Sequence, residues 1–91
     1  MPIKHLKVKI FGNVQGIGFR FEAWQVASRL GLKGFVRNES DGSVYAEAEG
    51  NEDALKEFLG WCKKGPPSAV IEKAESDLSD ELKYFKEFRM L

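Results

Sequence analysis

A chain of 91 residues is long enough for one packed core and too short for a separate cofactor domain, so a single domain over residues 1–91 is expected. Fourteen Lys and Arg offset fourteen Asp and Glu, which excludes the net positive field that gathers DNA or RNA and makes any anion binding local. An apolar fraction of 43%, with seven Phe and two Trp, excludes disorder and supplies a two-layer core.

In chain order, Leu6, Val8 and Ile10 alternate with Lys7 and Lys9, the pattern of a strand with one buried face. A glycine-rich stretch with Gly12, Gly16 and Gly18 ends it. From Phe19 the apolar spacing becomes helical, through Ala23, Val26, Ala27 and Leu30, and predicts an amphipathic helix closed by Gly31. Residues 34–38 and 44–49 read as strands joined by Glu39-Ser40-Asp41-Gly42, whose Asp-Gly pair signals an antiparallel hairpin. Asn51 is placed to cap a second helix with Ala54, Leu55, Phe58 and Leu59 as its buried stripe, stopped by Gly65-Pro66-Pro67. A strand over 69–75, a polar stretch over 76–81 and a last strand over 85–91 complete the chain. The order β-α-β-β-α-β predicts a ferredoxin-like α+β sandwich, an antiparallel sheet of four to five strands with two helices packed on one face.

Chemistry concentrates in Gly12-Asn13-Val14-Gln15-Gly16-Ile17-Gly18-Phe19-Arg20. A glycine-rich turn from strand to helix aims several backbone N–H groups and the positive end of a helix dipole at one small volume, which suits a phosphate. A Walker A loop would place Lys and then Ser or Thr after its last Gly, and Phe19 and Arg20 stand there. A dinucleotide fingerprint would need Gly at position 21, which is Phe21. Arg20 in the first helical turn is unfavourable beside the dipole unless an anion is near, and its planar guanidinium can hold two phosphate oxygens at once. On these residues alone a structural glycine turn, a surface salt bridge for Arg20 and a plain turn residue at Asn38 all stay open.

Gly-x-Val-Gln-Gly-x-x-Phe-Arg, followed by Gly34-Phe35-Val36-Arg37-Asn38 and Asp41-Gly42-Ser43-Val44, resembles the acylphosphatases, and the likeness runs over nearly the whole chain, including Gly60-Trp61 and Gly65-Pro66-Pro67. The resemblance implies that Arg20 binds the substrate phosphate, that backbone amides of Gln15, Gly16, Ile17, Gly18, Phe19 and Arg20 hold the same group, and that Asn38 orients the attacking water. It implies hydrolysis of a small acyl phosphate to a carboxylate and inorganic phosphate, without metal or cofactor. Asn13 departs from the pattern, in a place where related chains often carry a basic residue, which weakens the field at the loop mouth.

The remaining residues read as structural. Arg37 points to the sheet face opposite Asn38, His5 is expected to be solvated, Glu47 and Glu49 to form a solvated strand face, Cys62 to lie beside the second helix's buried stripe, and Trp24 and Trp61 to pack. No His/Cys cluster suggests a metal. The lone Cys62 and a first segment without a long apolar run give a soluble, cytoplasmic monomer with no membrane or nucleic-acid partner as the expectation. The alternative is a non-catalytic phosphate-binding or regulatory module, with single-stranded RNA binding on the sheet a weaker third.

Overall fold

The computed structural model describes residues 2–91. The elements are β1 (Ile3–Asn13), α1 (Phe19–Arg29), β2 (Lys33–Asn38), β3 (Val44–Asn51), α2 (Glu52–Lys64), β4 (Val70–Ser79) and β5 (Phe88–Met90). They build one five-stranded sheet in the order β4-β1-β3-β2-β5, with β1 antiparallel to β3 and β4, and β2 antiparallel to β3. This is the ferredoxin-like arrangement that the element order predicts.

Alternation in β1 and β3 sends Leu6, Val8 and Ile10 to one face, in register with Ala48, Ala46 and Val44. That face is fully buried beneath Phe19, Ala23 and Ala27 of α1 and Leu55, Phe58 and Cys62 of α2. Burial pushes the Cys62 thiol pKa well above its usual value, so the residue is an inert small hydrophobe. The caps are as the sequence suggests. The Asn51 side chain accepts from Asp53 N–H at 2.8 Å, and α1 ends in a Schellman motif, with Leu32 N–H on Ala27 C=O at 2.9 Å and Gly31 at φ 74°. Gly34 allows β2 to lie against β3: a Cβ there would stand 1.9 Å from the Glu47 carbonyl oxygen.

Several boundaries and environments differ from the expectation. β1 continues past Gly12 to Asn13, because a register shift at Phe11/Gly12 lets the strand keep pairing with β4. β4 runs on through the polar residues to Ser79, since an edge strand paired along β1 from His5↔Ser79 to Asn13↔Val70 tolerates polar side chains. The last strand shortens to Phe88–Met90 and lies parallel to β2, so the sheet is mixed and not purely antiparallel. Residues 80–87 instead strap across the sheet face opposite the helices, where Phe85 stacks over His5 with ring centroids 6.0 Å apart. Beneath the strap His5, Glu47 and Glu49 are 1%, 6% and 5% exposed, which corrects the solvated reading of all three.

Candidate active site

The glycine loop leaves β1 at Val14, turns through residues 15–18 and enters α1 at Phe19. Gly16 and Gly18 sit at φ 76° and 83°, a left-handed conformation that a side chain would strain. Gly18 is the N-cap of α1 and no side chain caps the helix. The first helical hydrogen bond runs from Glu22 N–H to Gly18 C=O at 3.1 Å, which leaves the N–H groups of the first turn of α1 without an acceptor inside the helix. With the dipole of α1 behind them, they give this end of the helix anion-binding character.

A cavity of about 210 Å³ opens over the loop, lined by Gly16, Gly18, Phe19, Arg20 and Asn38, with Val14, Phe21 and Met90 as its apolar wall. Of the residues singled out from sequence, the structure brings these five to one cavity; Gln15 and Ile17 are not in its lining, and Ile17 packs against the core. The Gln15 side chain turns the other way, donating to the carbonyls of Glu39 at 2.7 Å and Ser43 at 2.9 Å. It thereby ties the loop to the hairpin that follows Asn38.

That hairpin is itself fixed. Glu39 N–H donates to Ser43 C=O at 2.9 Å, Gly42 adopts φ 90°, and Asp41 accepts from the Ser43 hydroxyl and N–H. The Ser43 hydroxyl, its N–H and Lys9 hold the Asp41 carboxyl far below the ordinary carboxylate range. Asn38, the last residue of β2, shares a face with Val36 at the mouth of the cavity, and Arg37 points to the opposite face, stacked between Phe35 and Tyr45 and paired with Glu39 at 2.9 Å.

Arg20 does not pair with Glu22. Its guanidinium donates to the main-chain oxygen of Leu91 at 2.5 Å, and Leu91 N–H in turn donates to Val36 C=O at 2.9 Å. Met90, Phe21 and Leu91 are each 48% exposed at this end of the molecule. The sequence gives little warning of the contributions from Met90 and Leu91, which lie 70 residues beyond the loop and arrive through the β5–β2 pairing.

Comparison with known proteins places this geometry. The acylphosphatase family profile matches residues 6–90. The chain is 52% identical over 69 residues to the acylphosphatase of Thermotoga maritima, covering 76% of this chain and 77% of the relative. A solved acylphosphatase from Bacillus subtilis superposes with a TM-score of 0.93 at 32% identity, covering 97% of this chain and 98% of that one. A full-length HypF solved in the phosphate- and nucleotide-bound form matches at a TM-score of 0.89 and 37% identity, over 98% of this chain but only 12% of HypF. A chain whose profile match spans residues 6–90 and whose fold repeats the solved acylphosphatases end to end belongs to the acylphosphatase family.

Proposed function

We propose that the chain hydrolyses the carboxyl–phosphate bond of small acyl phosphates, releasing a carboxylate and inorganic phosphate. One observation carries the assignment: Arg20, the uncapped N-terminus of α1 and Asn38 share a cavity of about 210 Å³, the scale of a small phosphorylated molecule. The phosphoryl oxygens lie against the N–H groups of residues 16–20 and the Arg20 guanidinium, and Gln15 contributes its backbone N–H while its side chain braces the hairpin.

Asn38 holds a water in line with the phosphorus by donating and accepting hydrogen bonds. Water oxygen bonds to phosphorus as the bond from phosphorus to the acyl oxygen breaks. The water proton passes to a phosphoryl oxygen, because an amide is a poor base. The leaving carboxylate is stable at neutral pH and needs no general acid. Charge on the equatorial oxygens is met by preorganised dipoles and one guanidinium, the arrangement that phosphoryl transfer rewards.

We take residues 1–91 as one domain, supported by a single buried core cluster, and as cytoplasmic, with Cys62 as an unpaired buried thiol; a monomer is the simplest state for it. No helix among the described residues is long and apolar enough to cross a membrane. The balanced charge gives no support to a nucleic-acid partner. The second reading is a phosphate-binding module that turns nothing over, set beside the occurrence of this fold as 12% of a larger HypF chain. Benzoyl phosphate turnover in EDTA separates the two. Hydrolysis that is lost in Arg20→Ala and Asn38→Ala, both still folded, supports the enzyme. Phosphate protection against thermal unfolding without turnover supports the module.

A further inference from the structure

The strap over residues 80–87 is held by a device that lies outside the lining of the phosphate cavity. Three successive N–H groups converge on the Glu49 carboxylate: Lys83 at 2.5 Å on Oε2, and Tyr84 at 2.9 Å and Phe85 at 3.3 Å on Oε1. Consecutive amides wrapped around one anion form a nest, and Tyr84 takes the left-handed φ of 58° that such a nest requires. His5 Nδ1 stands 2.6 Å from Glu49 Oε2 and carries the proton of that bond, because a carboxylate only accepts. His5 Nε2 lies 2.9 Å from Glu47 Oε1 without hydrogen-bond alignment and has no hydrogen-bond partner among the described residues. Glu47 also accepts from Lys83 Nζ at 2.9 Å and from the Tyr45 hydroxyl at 2.7 Å.

What the strap carries gives the cluster its consequence. Directly after it, Gly34 N–H donates to Glu87 C=O at 2.9 Å, and β5 pairs with β2 through Gly34↔Phe88 and Val36↔Met90. Leu91 then follows, and its main-chain oxygen receives Arg20. A three-residue parallel strand is too short to register itself, and β5 is held from three sides: the Phe88 ring in the core, Trp24 Nε1 on Phe88 C=O at 3.0 Å, and the strap. We propose that Glu49, oriented by His5, is a positioning residue for the phosphate site: it latches residues 83–85 to the sheet, so that β5 presents the Leu91 main-chain oxygen that aims Arg20. The latch rests on the reading of Arg20 as the cation that holds phosphate.

The charged and titratable groups facing Glu49 come from every element packed on it. They are His5 of β1, which pairs with Glu49 in register, Lys7 one pair further on opposite Glu47, Tyr45 and Glu47 of β3, Lys33 of β2, also paired with Glu49, and Lys83 and Tyr84 of the strap; β4 brings Ser79 opposite His5 and Asp77 opposite Lys7. Burial raises the Glu49 pKa, but the Lys83 N–H, His5 and the Phe85 N–H outweigh it and leave the carboxyl below its ordinary value. The latch is therefore closed at neutral pH and opens in acid.

The test uses Glu49→Gln, whose amide sets an NH2 donor either against Lys83 N–H and His5 Nδ1 or against the N–H groups of Tyr84 and Phe85. Near neutral pH, KM for benzoyl phosphate and Ki for inorganic phosphate should each rise on the order of tenfold, with the Arg20→Ala background abolishing the effect. An unchanged KM and Ki in folded Glu49→Gln overturns the latch, as does an equal loss in the Arg20→Ala background. Phosphate affinity left unchanged by Arg20→Ala in the protein with Glu49 intact overturns the site reading beneath it. Should Glu49→Gln not fold, the wild type serves, with sulfate as the probe because its charge is constant in mild acid. From about pH 5.5 to about 3.5 the amide protection of Tyr84, Phe85 and Leu91 should fall together with sulfate affinity, and sulfate affinity that survives release of Tyr84 and Phe85 overturns the proposal.

Discussion

Residues 83–85, ahead of β5, wrap consecutive backbone N–H groups around an anion, and we read residues 16–20, ahead of and entering α1, as offering theirs to another. The former close on the chain's own Glu49, 5% exposed. The latter face a cavity of about 210 Å³ beside Arg20 and Asn38. The difference teaches what an anion cradle is used for. Supplied with a side-chain carboxylate it fastens a segment without regular structure to a sheet; left facing solvent at the end of a helix it keeps the same dipoles for a substrate. The local residues follow the use. The loop adopts positive φ with Gly16 and Gly18, whereas the strap holds Tyr84 at 58° and relies on Glu49 to keep it there.

The largest break comes from removing the cation of the open cradle. Arg20→Ala should lower kcat/KM for benzoyl phosphate on the order of 1000-fold while the melting temperature stays within a few degrees, because the side chain is partly exposed and carries little packing. Asn38→Ala should cost on the order of 100-fold, mainly in kcat, with phosphate inhibition retained, as expected for a group that positions water and not phosphate.

Breaking the closed cradle should register first in stability. Glu49→Ala strands several buried donors and is expected to cost about 2 to 3 kcal/mol by chemical denaturation. The pH dependence has a definite sign. The Glu49 carboxyl titrates below its ordinary 4.5 when folded, so its contribution is full above that value and is lost as pH falls through the folded pKa. Glu49→Ala should therefore show less acid-dependent loss of stability between about pH 5 and 3 than the wild type. The smallest effect sharpens the contrast between the cradles: Tyr84→Gly relieves the left-handed strain of an exposed residue and should raise stability by under about 1 kcal/mol, whereas Gly18→Ala imposes that strain and should lower it by about 1 to 2 kcal/mol.

The open cradle was legible because its parts are local. The turn residues, the helix start and Arg20 are contiguous, and Asn38 stands just before an Asp-Gly hairpin, so spacing and resemblance together point at one site. What escaped was assembled by pairing across the chain. His5 and Glu49 are 44 residues apart, and strand alternation alone puts both on the face away from the helices, where a side chain reads as solvated. Only the strap, which has no helical or strand periodicity, buries them. Leu82 and Phe85 interrupting a polar stretch were the sole signal that this segment covers something. The Gln15 side chain is a further case of pairing across the chain: it reaches the carbonyls of Glu39 and Ser43, 24 and 28 residues on, and this leaves the reading of its backbone N–H untouched.

We propose that water placed by Asn38 attacks phosphorus held by the loop and Arg20. Hydrolysis of benzoyl phosphate in isotopically labelled water tests it directly, because the two possible bond cleavages send the labelled oxygen to different products. Label recovered in inorganic phosphate, at a rate that Arg20→Ala abolishes, is the predicted result. Label recovered in benzoate would place the attack on the acyl carbon and contradict the account.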